Sequence, residues 1–237
     1  MKKEEIIKSI NPLFLKGVAH RGYHNEQYTE NGFGAFKNAI DNNFAFELDV
    51  HLTKDEKLIV SHDASLKRTT GKEGIIEELT LEEIKSNYHL LDGSEVPTLE
   101  EVFEFTKESV PIVVELKPYT KTKNYKVLAF KVMDALNEIK DKRNIILISF
   151  YPQCLLPFKG SGFIRCLLVD RKNSWSFALR HFFEGVDLEW QLLKEEKYQK
   201  VKQNKLVMCW TIENNKDYNE IKDLADSVTF QHFDITK

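Results

Sequence analysis

FELDVHLTKDEKLIVSHD, residues 46–63, sets two carboxylates, Glu47 and Asp49, at the end of an apolar run. Side chains at i and i+2 of a strand point to the same face. One strand therefore aims both carboxylates at a single point. A second short strand-like run, LIVS, leads to His62-Asp63. Carboxylates able to hold a hard cation, with an imidazole close in sequence, point to metal-assisted acid–base chemistry.

Upstream, LFLKGVA (13–19) reads as a first strand that stops at His20-Arg21-Gly22. The next segment, ENGFGAFKNAIDNN (30–43), spaces Phe33, Phe36 and Ile40 as a helix does. FAFELDVHL (44–52) is then the second strand. Residues 55–100 break the rhythm, with LIVSH, a turn-rich RTTGKEG, a small helix LTLEEIKSNY and the segment DGSEVPTL. This stretch is too short to bury a substantial core of its own and reads as an insertion. The alternation then resumes. TLEEVFEFTKE is helical, with Thr98 and Glu101 at capping-box spacing. Strand-like runs follow in VPIVVELKP, NIILISF, FIRCLLVD, GVDLEW, KLVMCWTI and SVTFQHF. Helical segments separate them over 124–140, 152–158, 174–184, 194–204 and 215–226. Alternation of this kind predicts parallel strands joined by crossover helices. Eight such units in 237 residues favour a closed α/β barrel, one domain over 1–237 with 55–100 inserted after strand two. The alternative, an open doubly wound sheet, lacks a GxGxxG turn after strand one.

Acidic and basic residues nearly balance, at a formal net charge of -3, and no basic stripe suggests nucleic acid as a partner. Cys154, Cys166 and Cys209 fit no zinc spacing, and the two in strand-like runs, Cys166 and Cys209, read as reduced core residues. Glu4, Glu5 and Lys8 fall where a signal peptide needs apolar residues, and no run reaches the roughly 18 residues of a membrane span. A cytoplasmic protein without stable membrane insertion is expected. The sequence leaves room for a homodimer.

In a barrel the strand C-termini carry the active site. His20 and Arg21 end strand one, Glu47 and Asp49 strand two, Glu115 and Lys117 strand three, and Trp210 lies near the end of strand seven. An unpaired buried charge is costly, so these groups are expected to be paired, metal-bound or facing a wet pocket.

The ordered set His20-Arg21-Gly22, Glu30-Asn31, Glu47-Leu-Asp49, His62-Asp63, Arg68-Thr69-Thr70-Gly71, Pro97-Thr98-Leu99-Glu100-Glu101-Val102 and Glu115-Leu-Lys117 resembles the glycerophosphodiester phosphodiesterase family. The likeness is dense from Val18 to Pro118 and thinner through Ser149-Phe150 and Trp210-Thr211. It implies a TIM-type (β/α)8 barrel with a small insertion after strand two. It implies metal-dependent hydrolysis of glycerophosphodiesters to sn-glycerol 3-phosphate and an alcohol, within lipid and glycerol metabolism. By the same resemblance Glu47, Asp49 and Glu115 hold a divalent metal, and three oxygen ligands suit Mg²⁺ or Ca²⁺. His20 and His62 resemble the catalytic pair, with either one as acid or base. Arg21 and Lys117 would bind the phosphate and Trp210 would meet the substrate's carbons.

Three features depart from the family pattern. Thr29 replaces a proline before Glu30-Asn31, Thr229-Phe230-Gln231-His232 stands where a Thr-Asp is usual, and the sequence ends too soon after strand eight for an eighth outer helix. The last two bear on barrel closure and the substrate pocket. Other residues have plainer readings. Trp210 is either a core aromatic or a pocket wall. Glu30 and Asn31 read as caps of the first helix, and Asn31 also as a brace for the histidine loop. His24, His51 and His89 receive no role. The rival functions are a lysophospholipase D or sphingomyelinase D-like phospholipase, with YPQCLLPFKGSG (151–162) as its apolar rim, and a non-catalytic barrel used as a binding module.

Overall fold

Nine strands form in the computed structural model, which describes residues 1–236. They are β1 (Val18–Ala19), β2 (Ala45–Leu52), β3 (Leu58–Val60), β4 (Ile112–Leu116), β5 (Ile145–Ser149), β6 (Ile164–Val169), β7 (Gly185–Glu189), β8 (Leu206–Ile212) and β9 (Ser227–Phe230). All except β3 pair in parallel, in the order β1-β2-β4-β5-β6-β7-β8-β9. Val18 and Ala19 also pair with Thr229 and Phe230, so the sheet closes on itself. The result is an eight-stranded TIM-type barrel, as the alternation predicts, and the altered strand-eight sequence does not prevent closure. β3 runs antiparallel along the upper end of β2, with Val50 opposite Val60.

The first strand is shorter than the run 13–19 suggests. Pro12, pre-set for a helical start, opens a 3-10 turn over Pro12–Lys16, and the Asn11 side chain accepts from the Leu13 N–H. The crossovers of the first half are regular helices, Phe33–Asp41, Leu99–Thr106 and Tyr125–Ala135, and the last connection holds another, Asn215–Ile221. The Thr98–Glu101 capping box forms as its spacing predicts. The three connections between β5 and β8 shrink to Pro152–Leu155, a 3-10 stretch Ser174–Phe182 and Glu196–Gln199. Pro157 has no N–H to continue the α-helical ladder, and residues 174–183 are crowded with weak helix formers.

Two apolar layers hold the barrel. Outside the sheet, Leu48, Val114, Leu147, Leu167 and Val207 pack with residues such as Phe36 and Leu128 of the helices. Inside, Val18, Ala45, Val113, Ile146, Ile164 and Leu206 from the lower ends of the strands meet Ile6, Ile10 and Phe14 of the N-terminal segment. Each valine, leucine, isoleucine or phenylalanine side chain so withdrawn from water contributes on the order of 1.5–3 kcal/mol. The interior is filled to contact: a Cβ on Gly185 would come within 2.5 Å of Cys166 Sγ. Cys154, Cys166 and Cys209 are buried free thiols.

Residues 55–100 contain β3 and short helices at Lys67–Thr70 and Leu81–Asn87. They gather a small apolar cluster of Ile59, Leu66, Ile76, Ile84, Tyr88, Leu90 and Val96. Among the described residues no helix is long and apolar enough to cross a membrane.

Candidate active site

The inward faces of β2 and β4 change from hydrocarbon to charge toward their C-terminal ends. Ala45 is followed on the same face by Glu47 and Asp49, and Val113 by Glu115 and then Lys117. Asp49 and Glu115 are register partners. One carboxylate oxygen from each of Glu47, Asp49 and Glu115 lies within 4.8 Å of the others, and all three residues are buried. Lys117 Nζ stands 3.0 Å from Glu115 Oε1 and 3.3 Å from Asp49 Oδ1. Asn31 Nδ2 donates to Asp49 Oδ2 at 2.9 Å, and the Arg21 backbone N–H donates to Glu47 Oε2 at 3.0 Å.

These surroundings divide the three acids. Burial, then the charges of Asp49 and Glu115, pushes the Glu47 carboxyl well above its usual range. Burial raises Glu115 to about 7, with Asp49 adding to the rise and Lys117 opposing it. Burial also works against an ionised Asp49, but Lys117, His62 and Arg21 outweigh it and hold its carboxyl low. Three acids so close cannot all ionise comfortably with Lys117 and Arg21 as their nearest cations. The donors are all hard oxygens with no thiolate among them, so the cluster fits Mg²⁺ or Ca²⁺.

The two histidines approach from different parts of the chain. His20 follows β1 directly. Its Nδ1 lies 2.6 Å from Gln231 Oε1, and Gln231 Nε2 donates to Glu213 Oε1 at 2.6 Å. A carboxylate only accepts, so Gln231 turns its NH₂ to Glu213 and its carbonyl to His20. His20 Nδ1 is therefore the donor, and Nε2 keeps its lone pair. Removal from water, then the Arg21 charge, lowers the His20 pKa to about 3. His62 leaves the insertion after β3, and its Nδ1 meets Asp63 Oδ1 at 2.7 Å. Burial lowers its pKa, while Asp49 and Asp63 work the other way.

A chain of ion pairs joins the two loops. Arg68 Nε donates to Asp63 Oδ2 at 2.6 Å, and its two terminal nitrogens reach Glu30 at 2.7 and 2.8 Å. Glu30 Oε1 also accepts from the Arg21 guanidinium at 2.8 Å. Burial would raise Glu30, but Arg68 and Arg21 outweigh it and bring the carboxyl down to about 2. Arg21 has φ 53°, a left-handed conformation that non-glycine residues rarely adopt. At φ 78°, Gly22 turns the chain where a Cβ would lie 2.8 Å from Ala35 Cβ.

His20, Arg21, Glu47, His62, Glu115, Lys117 and Trp210 all line one cavity of about 110 Å³. Asp49 sits behind it, fully buried, facing Arg21, Asn31 and Lys117. Trp210 is half-buried and forms a pocket wall, edge-on to Phe150 at 5.6 Å, with Nε1 donating to the Asp187 carbonyl. Glu30 and Asn31 are not helix caps. The helix Phe33–Asp41 is entered through Gly32 without a side-chain cap, and Asn31 braces Asp49.

Several participants carried no such sign in the sequence. Gln231, part of the strand-eight departure, is the partner of His20. His51 is buried between Glu77 Oε1 at 2.6 Å and the His62 carbonyl at 3.1 Å. Asp187 of β7 lines the cavity at 1% exposure, and its Oδ1 has no hydrogen-bond partner. Burial, then the charge of Glu115, pushes its carboxyl well above the usual range. His24 meets His232 edge-on and is not part of the lining of that cavity, and the backbone of His89 pairs with Glu95.

Known proteins resemble this chain in sequence and fold. The sequence profile of the glycerophosphoryl diester phosphodiesterase family matches residues 20–232. A glycerophosphodiester phosphodiesterase from Caldanaerobacter subterraneus is 33% identical over 181 residues, covering 69% of this chain and 71% of that one. A lysophospholipase D from Rattus norvegicus is 35% identical over 136 residues, 52% of this chain and 41% of that protein. An Oleispira antarctica phosphodiesterase, solved with its product sn-glycerol 3-phosphate, shares the fold at TM-score 0.81 and 21% identity, with 92% of this chain and 93% of that one covered.

Proposed function

The chain belongs to the glycerophosphoryl diester phosphodiesterase family, and from that membership we propose that it hydrolyses glycerophosphodiesters to sn-glycerol 3-phosphate and an alcohol through His20, His62 and a divalent metal. The observation that carries the proposal is the meeting of both histidines, Arg21, Lys117 and the carboxylate cluster around one cavity. Residues 1–237 form one catalytic unit in this reading, and the insertion 55–100 brings His62 and Asp63 to the barrel mouth.

Glu47, Asp49 and Glu115 would hold Mg²⁺ or Ca²⁺, which would supply positive charge against the phosphoryl oxygens. Arg21 and Lys117 bind the phosphate and orient it. His20, neutral with its proton on Nδ1, takes a proton at Nε2 from the attacking oxygen, whether water or the substrate's own hydroxyl. His62 gives a proton from Nε2 to the leaving alkoxide. The Asp63 carboxylate opposite Nδ1 favours the charged imidazole that this step requires. Trp210 and Phe150 pack against the carbons of the substrate. The buried, unpaired thiols favour a reducing compartment such as the cytoplasm.

Release of sn-glycerol 3-phosphate from glycerophosphocholine, with and without EDTA, tests the proposal. Release that stops on chelation and returns with Mg²⁺ or Ca²⁺ is expected. Turnover indifferent to thorough chelation removes the metal from the mechanism, and no release from any glycerophosphodiester overturns the reading.

A second reading has one observation in its favour. A groove of about 600 Å³ adjoins the cavity at Phe150 and is lined by Tyr125, Tyr151, Leu156, Trp175 and Leu179. Trp175 is 69% exposed and Leu156 45%. An acyl chain on the substrate would lie there, as a lysophospholipase D requires. Turnover of lysophosphatidylcholine with none of glycerophosphocholine would favour this second substrate class.

A further inference from the structure

The upper interior of the barrel is divided. β1, β2 and β4 supply the charged groups, whereas β5, β6 and β8 turn Ile148, Cys166, Leu168 and Met208 inward. β7 breaks that apolar half. Asp187 lies in register between Leu168 and Met208, where a leucine or methionine would match its neighbours. It has neither a cation nor a hydrogen-bond donor for Oδ1, although it is 1% exposed. A buried polar atom without a partner is destabilising. Every other acid on the cavity wall is answered: Glu115 by Lys117 and Glu47 by the Arg21 N–H.

The strand order puts β7 across the barrel from β2, so Asp187 faces the carboxylate and phosphate side from the opposite wall. A phosphate held by Arg21 and Lys117 extends the rest of its ester toward that wall. Phe150 and Trp210 line the cavity there without a free polar atom, since the indole N–H is given to the Asp187 carbonyl, and the hydroxyl side chains of the lining, Thr211 and Thr229, belong to β8 and β9. We propose that Asp187 is a specificity-determining residue whose carboxyl hydrogen-bonds a free hydroxyl of the glycerol moiety. This inference rests on the glycerophosphodiesterase reading above and adds the group that distinguishes a polyol phosphate from a plain alkyl phosphate. A site built around a hydroxyl leaves its own polar group unpaired when that hydroxyl is missing, and so rejects the analogue.

The test is equilibrium binding of sn-glycerol 3-phosphate and of n-propyl phosphate, with Mg²⁺ or Ca²⁺ present, to the wild type, Asp187→Asn and Asp187→Leu. Because binding is measured, the result does not depend on which oxygen attacks. The wild type is expected to prefer sn-glycerol 3-phosphate by about tenfold or more, the worth of one good hydrogen bond. Asp187→Asn should keep part of that preference. Asp187→Leu should lose it while binding n-propyl phosphate as well as the wild type does. Its melting temperature should hold or rise, which a purely structural role for Asp187 would not produce. Equal weakening of both ligands, or a preference that survives Asp187→Leu, overturns the proposal. No preference in the wild type overturns it as well. Failure of the parent reading is seen separately, as absence of sn-glycerol 3-phosphate release by the wild type.

Discussion

Ala45 and Glu47, and Val113 and Glu115, are pairs on the same inward faces of the same strands, and Val18 and His20 form a third pair with His20 just past the end of β1. About 6.6 Å along the strand separates the members of each pair. The lower member is packed against Ile6, Ile10 or Phe14 and their neighbours, and the upper member lines the cavity. The two ends of this barrel differ in what covers them. An apolar plug excludes water below, so only hydrocarbon is stable there. Above, Arg21, Asn31 and Lys117 answer the acids of β2 and β4, so charge can be kept there. The lower end holds the strands in register, and the upper end spends that rigidity on positioning.

The largest expected effect lies at the upper end. His20→Ala and His62→Ala should each lower kcat by about 10²–10⁴, with melting temperature near that of the wild type. Near-normal turnover in either variant would take that residue out of the mechanism and weaken the contrast between the ends. Phe14→Ala is the counterpart below. It should cost about 3–5 kcal/mol of stability, seen in denaturant unfolding, and leave kcat per folded molecule unchanged. A parallel loss of kcat would mean that the plug also shapes the site.

Glu30 gives the smallest effect and sharpens the picture at the rim. Its carboxyl lies at about 2, below the ordinary 4.5. The stability it contributes is therefore complete above about pH 4.5 and lost as the pH falls toward 2. The difference in melting temperature between wild type and Glu30→Gln should be greatest near neutral pH and should shrink below pH 4.5. A difference constant from pH 7 to pH 3 would show that Glu30 acts through packing and not through its charge.

The parts of this molecule legible in the sequence are those with a short period. Glu47 with Asp49, and Glu115 with Lys117, announce a shared face because strand side chains repeat every two residues. His20-Arg21 announces a strand end because the apolar run stops there. Asp187 gave no such signal. A single acid in GVDLEW looks the same whether its face is inside or outside, and only the closed barrel decides which. Gln231 was visible only as a departure, since its meaning depends on His20, which reaches it through the β1–β9 pairing. His51 acts through Glu77 and the His62 carbonyl, contacts that the folded insertion creates. The short later crossovers escaped for a local reason, because hydrophobic spacing does not separate a 3-10 stretch from an α-helix when the segment is brief.

The source of the second histidine has a consequence of its own. Glu47, Asp49 and Glu115 come from two adjacent barrel strands, whereas His62 and Asp63 hang on a stretch with a separate apolar cluster. A chain whose barrel had closed before that cluster formed would own the carboxylate cluster and lack one of the two histidines proposed for proton transfer. On the proposed mechanism, capturing a metal ion and cutting a diester would thus be distinct attainments of one polypeptide. The first is secured by the barrel's architecture and the second by how well a small appended core keeps hold of the rim.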